Sequence, residues 1–171
     1  VIPFISEAGS VFKSTKRFVG FSCAHRQPAD DGHCQYLHGY SRSFYFVFGA
    51  DEVDPRTHFV MDFSGLKGVK AWLDHTFDHT CLINADDPEL QLFKELDERG
   101  VIQLRVLPNV SMEATAKYVA DHVQGMLDEV TGGRVFIHAC ECRENEKNSG
   151  WYFPRGGAGD VHQATSEIGD A

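Results

Sequence analysis

The chain has 171 residues, 42% of them hydrophobic and 24% charged, and 25 Asp and Glu against 16 Lys and Arg leave a net charge of −9. That composition suits one globular domain able to bury its own core. The acidic surplus excludes broad nucleic-acid binding, which needs a basic face to displace counterions. A small anion held locally by Lys13, Lys16, Arg17 or Arg26 is still compatible with it. No apolar run reaches the roughly eighteen residues of a membrane span, and the first residues lack the basic start of an export signal. A soluble cytoplasmic protein with no membrane or nucleic-acid partner is therefore expected. The five cysteines are an odd number without framework spacing, so thiols are expected rather than disulfides.

In chain order, "VFKSTKRFVGFSCAHR" (11–26) has the β-branched and aromatic content of a strand. Residues 28–37 are turn-rich and read as a loop, 41–51 as a strand and 58–63 as a short one. Residues 64–79 place Leu66, Val69, Trp72, Leu73 and Phe77 at helical spacing, with Ser64 as the expected N-cap. A shorter helix is predicted over 86–100, with Pro88 near its start and Gly100 after its end. Residues 101–107 read as a strand. The longest helix, 109–133, has Ala116, Val119, Val123, Met126 and Leu127 as its buried stripe and Gly132 as its stop; 134–144 form a last strand. The order β β β α α β α β is that of an α+β fold, an antiparallel sheet with helices packed on one face. One domain over 1–154 is followed by a polar, glycine-rich tail, 155–171. There is no internal repeat, and the Asn-Val-Ser sequon at 109–111 has no secretory context.

Candidate chemistry begins in "FSCAHRQPADDGHCQYLHGYS", where His25, His33 and His38 fall within fourteen residues. If "FSCAHR" ends one strand and "LHGYS" begins the next, His25 and His38 meet at the mouth of a hairpin, where neutral imidazoles suit zinc. The residue two beyond His38, on the same strand face, is Tyr40. Ordinary loop histidines are the alternative. Cys34, beside His33, becomes a base or nucleophile if a metal or cationic imidazole lowers its pKa, and is otherwise a small apolar loop residue. Cys140 and Cys142 share a strand face and read as core thiols. "LDHTFDHTCLIN" holds two Asp–His pairs; Asp78–His79, at the expected helix end, suits a carboxylate-oriented imidazole better than Asp74–His75. Glu141, Glu144 and Glu113 are carboxylates able to accept paired N–H bonds from a guanidine-like ring edge, although Glu113 also suits a helix-dipole partner.

Taken together, these stretches resemble the 6-pyruvoyltetrahydropterin synthase / 6-carboxytetrahydropterin synthase family. The opening run is similar to its F-x-x-A-H-R…H-x-C-x-x-L-H-G-H signature, and "DHTCLIN" to its D-H-x-x-L-N. "VDPRTHFVMDFSGLK", "SMEATAKYV" and "ENEKNSGWY" resemble further segments, in the family's order from about residue 10 to 153. The resemblance implies the tunnelling fold, in which strands of several subunits close a barrel, as a homo-oligomer, a hexamer of two trimers. It implies one zinc per subunit on His25 and His38 and no organic cofactor. Cys34 falls on the catalytic cysteine, Asp78 and His79 on the pair completing the proton relay, and Glu144 on the glutamate anchoring the pterin. Glu113 matches the glutamate of the helix start.

One position departs: where the family has a third histidine ligand, this chain has Tyr40. A phenol titrates near ~10, so ligation by Tyr40 requires the phenolate and adds a negative charge. Tyr40 can ligate in that form, His33 or water can fill the gap, or the site is weakened. The implied reaction converts 7,8-dihydroneopterin triphosphate to 6-carboxytetrahydropterin, with loss of triphosphate and acetaldehyde, in deazaguanine (queuosine) synthesis. The 6-pyruvoyl reaction of tetrahydrobiopterin synthesis and a non-catalytic pterin-binding homologue are the alternatives. Residues 25, 34, 38 and 79 are expected to converge on one pocket.

Overall fold

A computed structural model of the chain describes residues 11–154, and the expected tail lies outside the described residues. The longest hairpin pairs β1 (Phe12–His25) with β2 (His38–Ala50), antiparallel, with Phe12 opposite Ala50 and His25 opposite His38. Phe18 lies opposite Phe44, yet Phe21 lies opposite Arg42, so β1 carries one extra residue, and Gly20 there takes a φ of 90°. Such a bulge exchanges the faces. Even-numbered residues of β1 share the face of Phe44 before it; Phe21, Cys23 and His25 share that face after it.

Four more strands follow: β3 (Thr80–Asn84), β4 (Leu104–Leu107), β5 (Phe136–Arg143) and β6 (Ser149–Tyr152). The six form one sheet in the order β4-β3-β1-β2-β5-β6. The pairs β1/β2, β2/β5 and β5/β6 are antiparallel, whereas β3 runs parallel to β1 and β4 parallel to β3. The sheet is thus mixed. Its parallel end follows from connections that pass through helices instead of tight turns.

Helices α1 (Lys67–Phe77) and α3 (Met112–Thr131) bury Leu73, Phe77, Val119 and Val123 against Phe44, Phe46 and Phe48 in the main core. Helix α2 (Leu90–Glu98) differs. Its Phe93 packs on Cys81 and Ile83, which alternate along β3 with Leu82 of the main core, so α2 covers the other face at that end. The expectation of helices on one face describes α1 and α3 only.

Five local readings are corrected. Residues 58–63 form no strand: the Asp54 carboxylate accepts from Arg56 N, Thr57 N and Thr57 Oγ1, and His58 turns the chain at a φ of 58°. β3 is a strand within the Asp–His motif; all five of its residues are buried, so it lacks the alternation that marks a half-exposed strand. β6 is a further four-residue strand. Asp62, not Ser64, is the cap, accepting from Ser64 N at 2.8 Å and opening a short 3-10 turn (Phe63–Leu66) that runs into α1. In α3, Ser111 Oγ accepts from Ala114 N, and Gly132 ends the helix at a φ of 63°. Met126 of the expected stripe is only half-buried, and Ala120 is buried in the stripe instead. No helix among the described residues is long and apolar enough to cross a membrane.

Candidate functional site

The hairpin register delivers His25 and His38 to one point. They are directly opposed where β1 ends and β2 begins, with ring centroids 4.4 Å apart. Glu144, just past β5, completes the group: its Oε1 lies 3.4 Å from His25 Nε2 and 3.9 Å from His38 Nε2. One ligand atom from each of the three falls within 4.8 Å of the others. His38 Nδ1 lies 2.6 Å from the Tyr36 carbonyl, which fixes its proton on Nδ1 and leaves Nε2 with a lone pair aimed at the group. Burial, reinforced by the Arg42 guanidinium and by the ring of His38, pushes His25 down to about 3. The contact with Glu144 is therefore one of neutral imidazole with carboxylate, not an ion pair. Two imidazoles and a carboxylate, with His38 Nε2 turned to the group, fit a divalent ion.

Tyr40 lies beside this group. It is two residues beyond His38, with the rings edge-on at 5.8 Å, and its side is half open to solvent. It borders two shallow hollows. One, of about 320 Å3, is bordered by Tyr40, Ser43, Arg143 and Glu144; the other, of about 540 Å3, by Ser22, Ala24, Gly39, Tyr40, Ser41 and His79.

Asp78 and His79 are where α1 ends. Asp78 Oδ2 lies 3.0 Å from His79 Nδ1, and its Oδ1 accepts from Ser22 N at 3.1 Å. His79 takes a φ of 56° and donates its N–H to the Ser22 carbonyl at 2.6 Å, which clamps the turn to β1. The hydrogen bond from His79, then that from Ser22, holds the Asp78 carboxyl below the usual carboxylate range. The His79 ring is 78% exposed. Ser22, Ala24, Gly39 and Ser41, which border its hollow, alternate along their strands with Cys23, His25, His38 and Tyr40. Cys23 and Tyr40 border the hollow as well, but His25, His38 and Glu144 do not. Asp74 is engaged by Lys70 instead of His75.

Cys34 is exposed in a short 3-10 turn (His33–Gln35). Its loop is folded back by Gln27 N–H donating to the Cys34 carbonyl at 2.7 Å. The Gln27 amide accepts from Asn84 and donates to Asn109, tying the loop to β3 and to the start of α3. His25, His38 and Glu144 are thus brought together, with Tyr40 beside them. Cys34 and His79 are both exposed, and among the described residues no hydrogen bond joins them.

The remaining candidates separate cleanly. Glu113 is exposed in the first turn of α3, where a side chain on Gly150 would meet the Glu113 backbone nitrogen at 2.5 Å. Glu141 is buried on the opposite face, held by Arg17 at 3.1 Å and Arg143 at 2.9 Å. Arg26 is committed to Asp87. Burial pushes Cys142 up to about 12 and Cys140 well upward, as befits core thiols. Sequence reasoning missed Arg42 and the Gln27 amide network. Arg42 had a signal, a lone charge in the alternating run "SRSFYFVF".

The fold and donor set define a class already described. A family model for 6-pyruvoyl tetrahydropterin synthase matches residues 14–155, and the chain belongs to that family. Among curated proteins, the 6-carboxy-5,6,7,8-tetrahydropterin synthases of Rickettsia felis and Rickettsia conorii are 33% and 32% identical over 81 residues, which is 47% of this chain and 57% of each relative. The chain thus spans little more than half the length of those relatives. A solved structure from Wolinella succinogenes, of a protein described as uncharacterized, superposes with a TM-score of 0.73 at 16% identity, covering 85% of this chain and 99% of that one. Plasmodium falciparum 6-pyruvoyl tetrahydropterin synthase superposes at 0.60 with 19% identity, covering 82% and 96%. At such identity these two attest the fold alone.

Proposed function

We propose that this chain is a metal-dependent lyase that converts 7,8-dihydroneopterin triphosphate to 6-carboxytetrahydropterin, releasing triphosphate and acetaldehyde, as a cytoplasmic step toward deazaguanines. The observation that carries this reading is the convergence of His25, His38 and Glu144 at one strand end. The Rickettsia relatives named for the 6-carboxy product favour it over the pyruvoyl one.

His25, His38 and Glu144 would hold a divalent ion such as zinc, which would supply a Lewis acid able to acidify the side-chain hydroxyls. Glu144 turns Oε1 to the imidazoles and accepts from Asn145 Nδ2 with Oε2, so we assign it to the metal and not to the pterin ring. Ring recognition passes to Glu113, whose carboxylate makes no hydrogen bond among the described residues; a carboxylate can accept the 2-amino and N3 hydrogens together. Cys34, as thiolate, removes the carbon-bound proton of the side chain. His79, oriented by Asp78, shuttles protons. Because the exposed His79 borders a hollow that includes none of His25, His38 and Glu144, we assign it to the site of a neighbouring copy, which makes the homo-oligomer, the expected hexamer, a requirement of the chemistry.

Product analysis by mass spectrometry tests the reaction: 6-carboxytetrahydropterin with acetaldehyde is expected, and a pyruvoyl product without acetaldehyde would assign the other branch. Mixing inactive Cys34→Ala with inactive His79→Ala subunits tests the sharing. Random assembly then rebuilds roughly a quarter of the sites, and no recovery would place both groups in one copy's site. The second reading, a pterin-binding homologue without metal chemistry, is favoured by Tyr40 in the third-histidine position. It predicts less than about a tenth of an equivalent of zinc, unchanged by added zinc.

A further inference from the structure

Arg42 is wholly buried and no carboxylate pairs with it among the described residues. Its Nη1 donates to Thr115 Oγ1 at 3.2 Å and lies 4.0 Å from Cys142 Sγ, its Nη2 donates to the Val110 carbonyl at 3.2 Å, and its buried Nε meets no acceptor. An isolated buried cation is costly, and a neutral donor would pin α3 to the sheet as well. The other buried ionised side chains are balanced: Asp87 by Arg26, and Glu141 by Arg17 and Arg143.

The missing negative charge is one step away. The β2/β5 ladder ends at Ser43 opposite Arg143, and the next position in that register sets Arg42 against Glu144. Glu144 has the converse defect, since it faces imidazoles and pairs with no lysine or arginine among the described residues. Tyr40, the other anion-forming candidate, is two residues from Arg42 on the same strand face. Because the guanidinium is spent on Val110 and Thr115, it acts on the site by its field and leaves the Glu144 oxygens free.

We propose that Arg42 is the counter-charge of the metal site. With two imidazoles and one anionic ligand on a divalent ion, it restores the net charge that three imidazoles would leave. The inference rests on the metal assignment made under Proposed function. The fuller positive charge would favour binding of anionic oxygens from substrate.

The test uses the cobalt-loaded full chain, with azide as the anionic probe and the visible cobalt spectrum as the readout. Arg42→Gln keeps a donor for Val110 and removes the charge. It should bind cobalt about tenfold more tightly, because repulsion is gone, and azide about tenfold more weakly. Arg42→Lys should match wild type within about twofold. If Arg42→Gln does not fold, Arg42→Met serves the same comparison. An azide affinity indifferent to the charge at residue 42, or equal impairment of the Gln and Lys variants, would overturn the inference and leave the metal site standing. Wild type that takes up no cobalt, or takes up as much after His25→Ala and His38→Ala together, would remove the metal assignment and this inference with it.

Discussion

Strand β5 and its end carry two carboxylates three residues apart that the chain treats in opposite ways. Glu141 is 1% exposed on the face without α1 and α3, and two guanidiniums saturate its oxygens. Glu144 is 15% exposed at the strand's end and meets two imidazoles. A carboxylate filled by arginines has nothing left to offer an ion. One set against lone-pair nitrogens is incomplete without something positive between them. At this end of β5 the protein leaves its own charges unanswered, and Arg42, without a carboxylate partner among the described residues, belongs to the same region.

The largest expected effect breaks the Glu144 side. His25→Ala with His38→Ala should weaken zinc binding by at least about a thousandfold in a chelator competition, while the thermal transition of the apo-protein stays near that of wild type. Retained zinc would show that the metal lies elsewhere.

The next effect breaks the Glu141 side. Glu141→Ala leaves Arg17 and Arg143 without their anion. Each guanidinium is 29% exposed and partly relieved by water, so the loss is about 2 kcal/mol in denaturant melts, with zinc affinity unchanged. A zinc defect there would erase the distinction between the two carboxylates. Glu144→Ala should do the converse, weakening zinc about thirtyfold while changing stability by less than about 0.5 kcal/mol.

How much of this was legible in the sequence follows from which contacts are local. His25 and His38 could be paired from sequence because a hairpin fixes its own register, and Asp78–His79 could be preferred because a helix end frees adjacent side chains. Glu141 and Glu144 were told apart by the family resemblance alone, not by their own spacing. Their faces depend on where β5 stops, and their partners Arg17, His25 and His38 lie more than a hundred residues away. The bulge after Phe18 had a glycine as its signal, but its effect on which face His25 takes is visible only in the paired strands. β3 escaped because a strand buried on both sides carries no alternation. Arg42 was visible as a charge among phenylalanines, yet its want of a partner is a three-dimensional fact.

The smallest effect sharpens the comparison on exposed ground. Asp78, like Glu144, has an imidazole neighbour, but its pair with His79 is open to solvent and completed by the Ser22 N–H. The folded-state pKa of Asp78 is lowered, so its stabilising contribution is fully present above the unfolded carboxylate pKa and is lost as pH falls through the lower folded value. Lowering pH from neutrality to about 5 should therefore leave the turn intact, and loosening should begin only below about 4. The His79 ring resonances and the exchange of the His79 amide, which donates to the Ser22 carbonyl, report it. Asp78→Asn should abolish that acid transition while zinc affinity stays as in wild type, because Asp78 pairs with His79 and Ser22 and not with His25, His38 or Glu144. A transition near neutrality that vanishes in Asp78→Asn would mean that the Asp78 carboxylate is not held below its usual range.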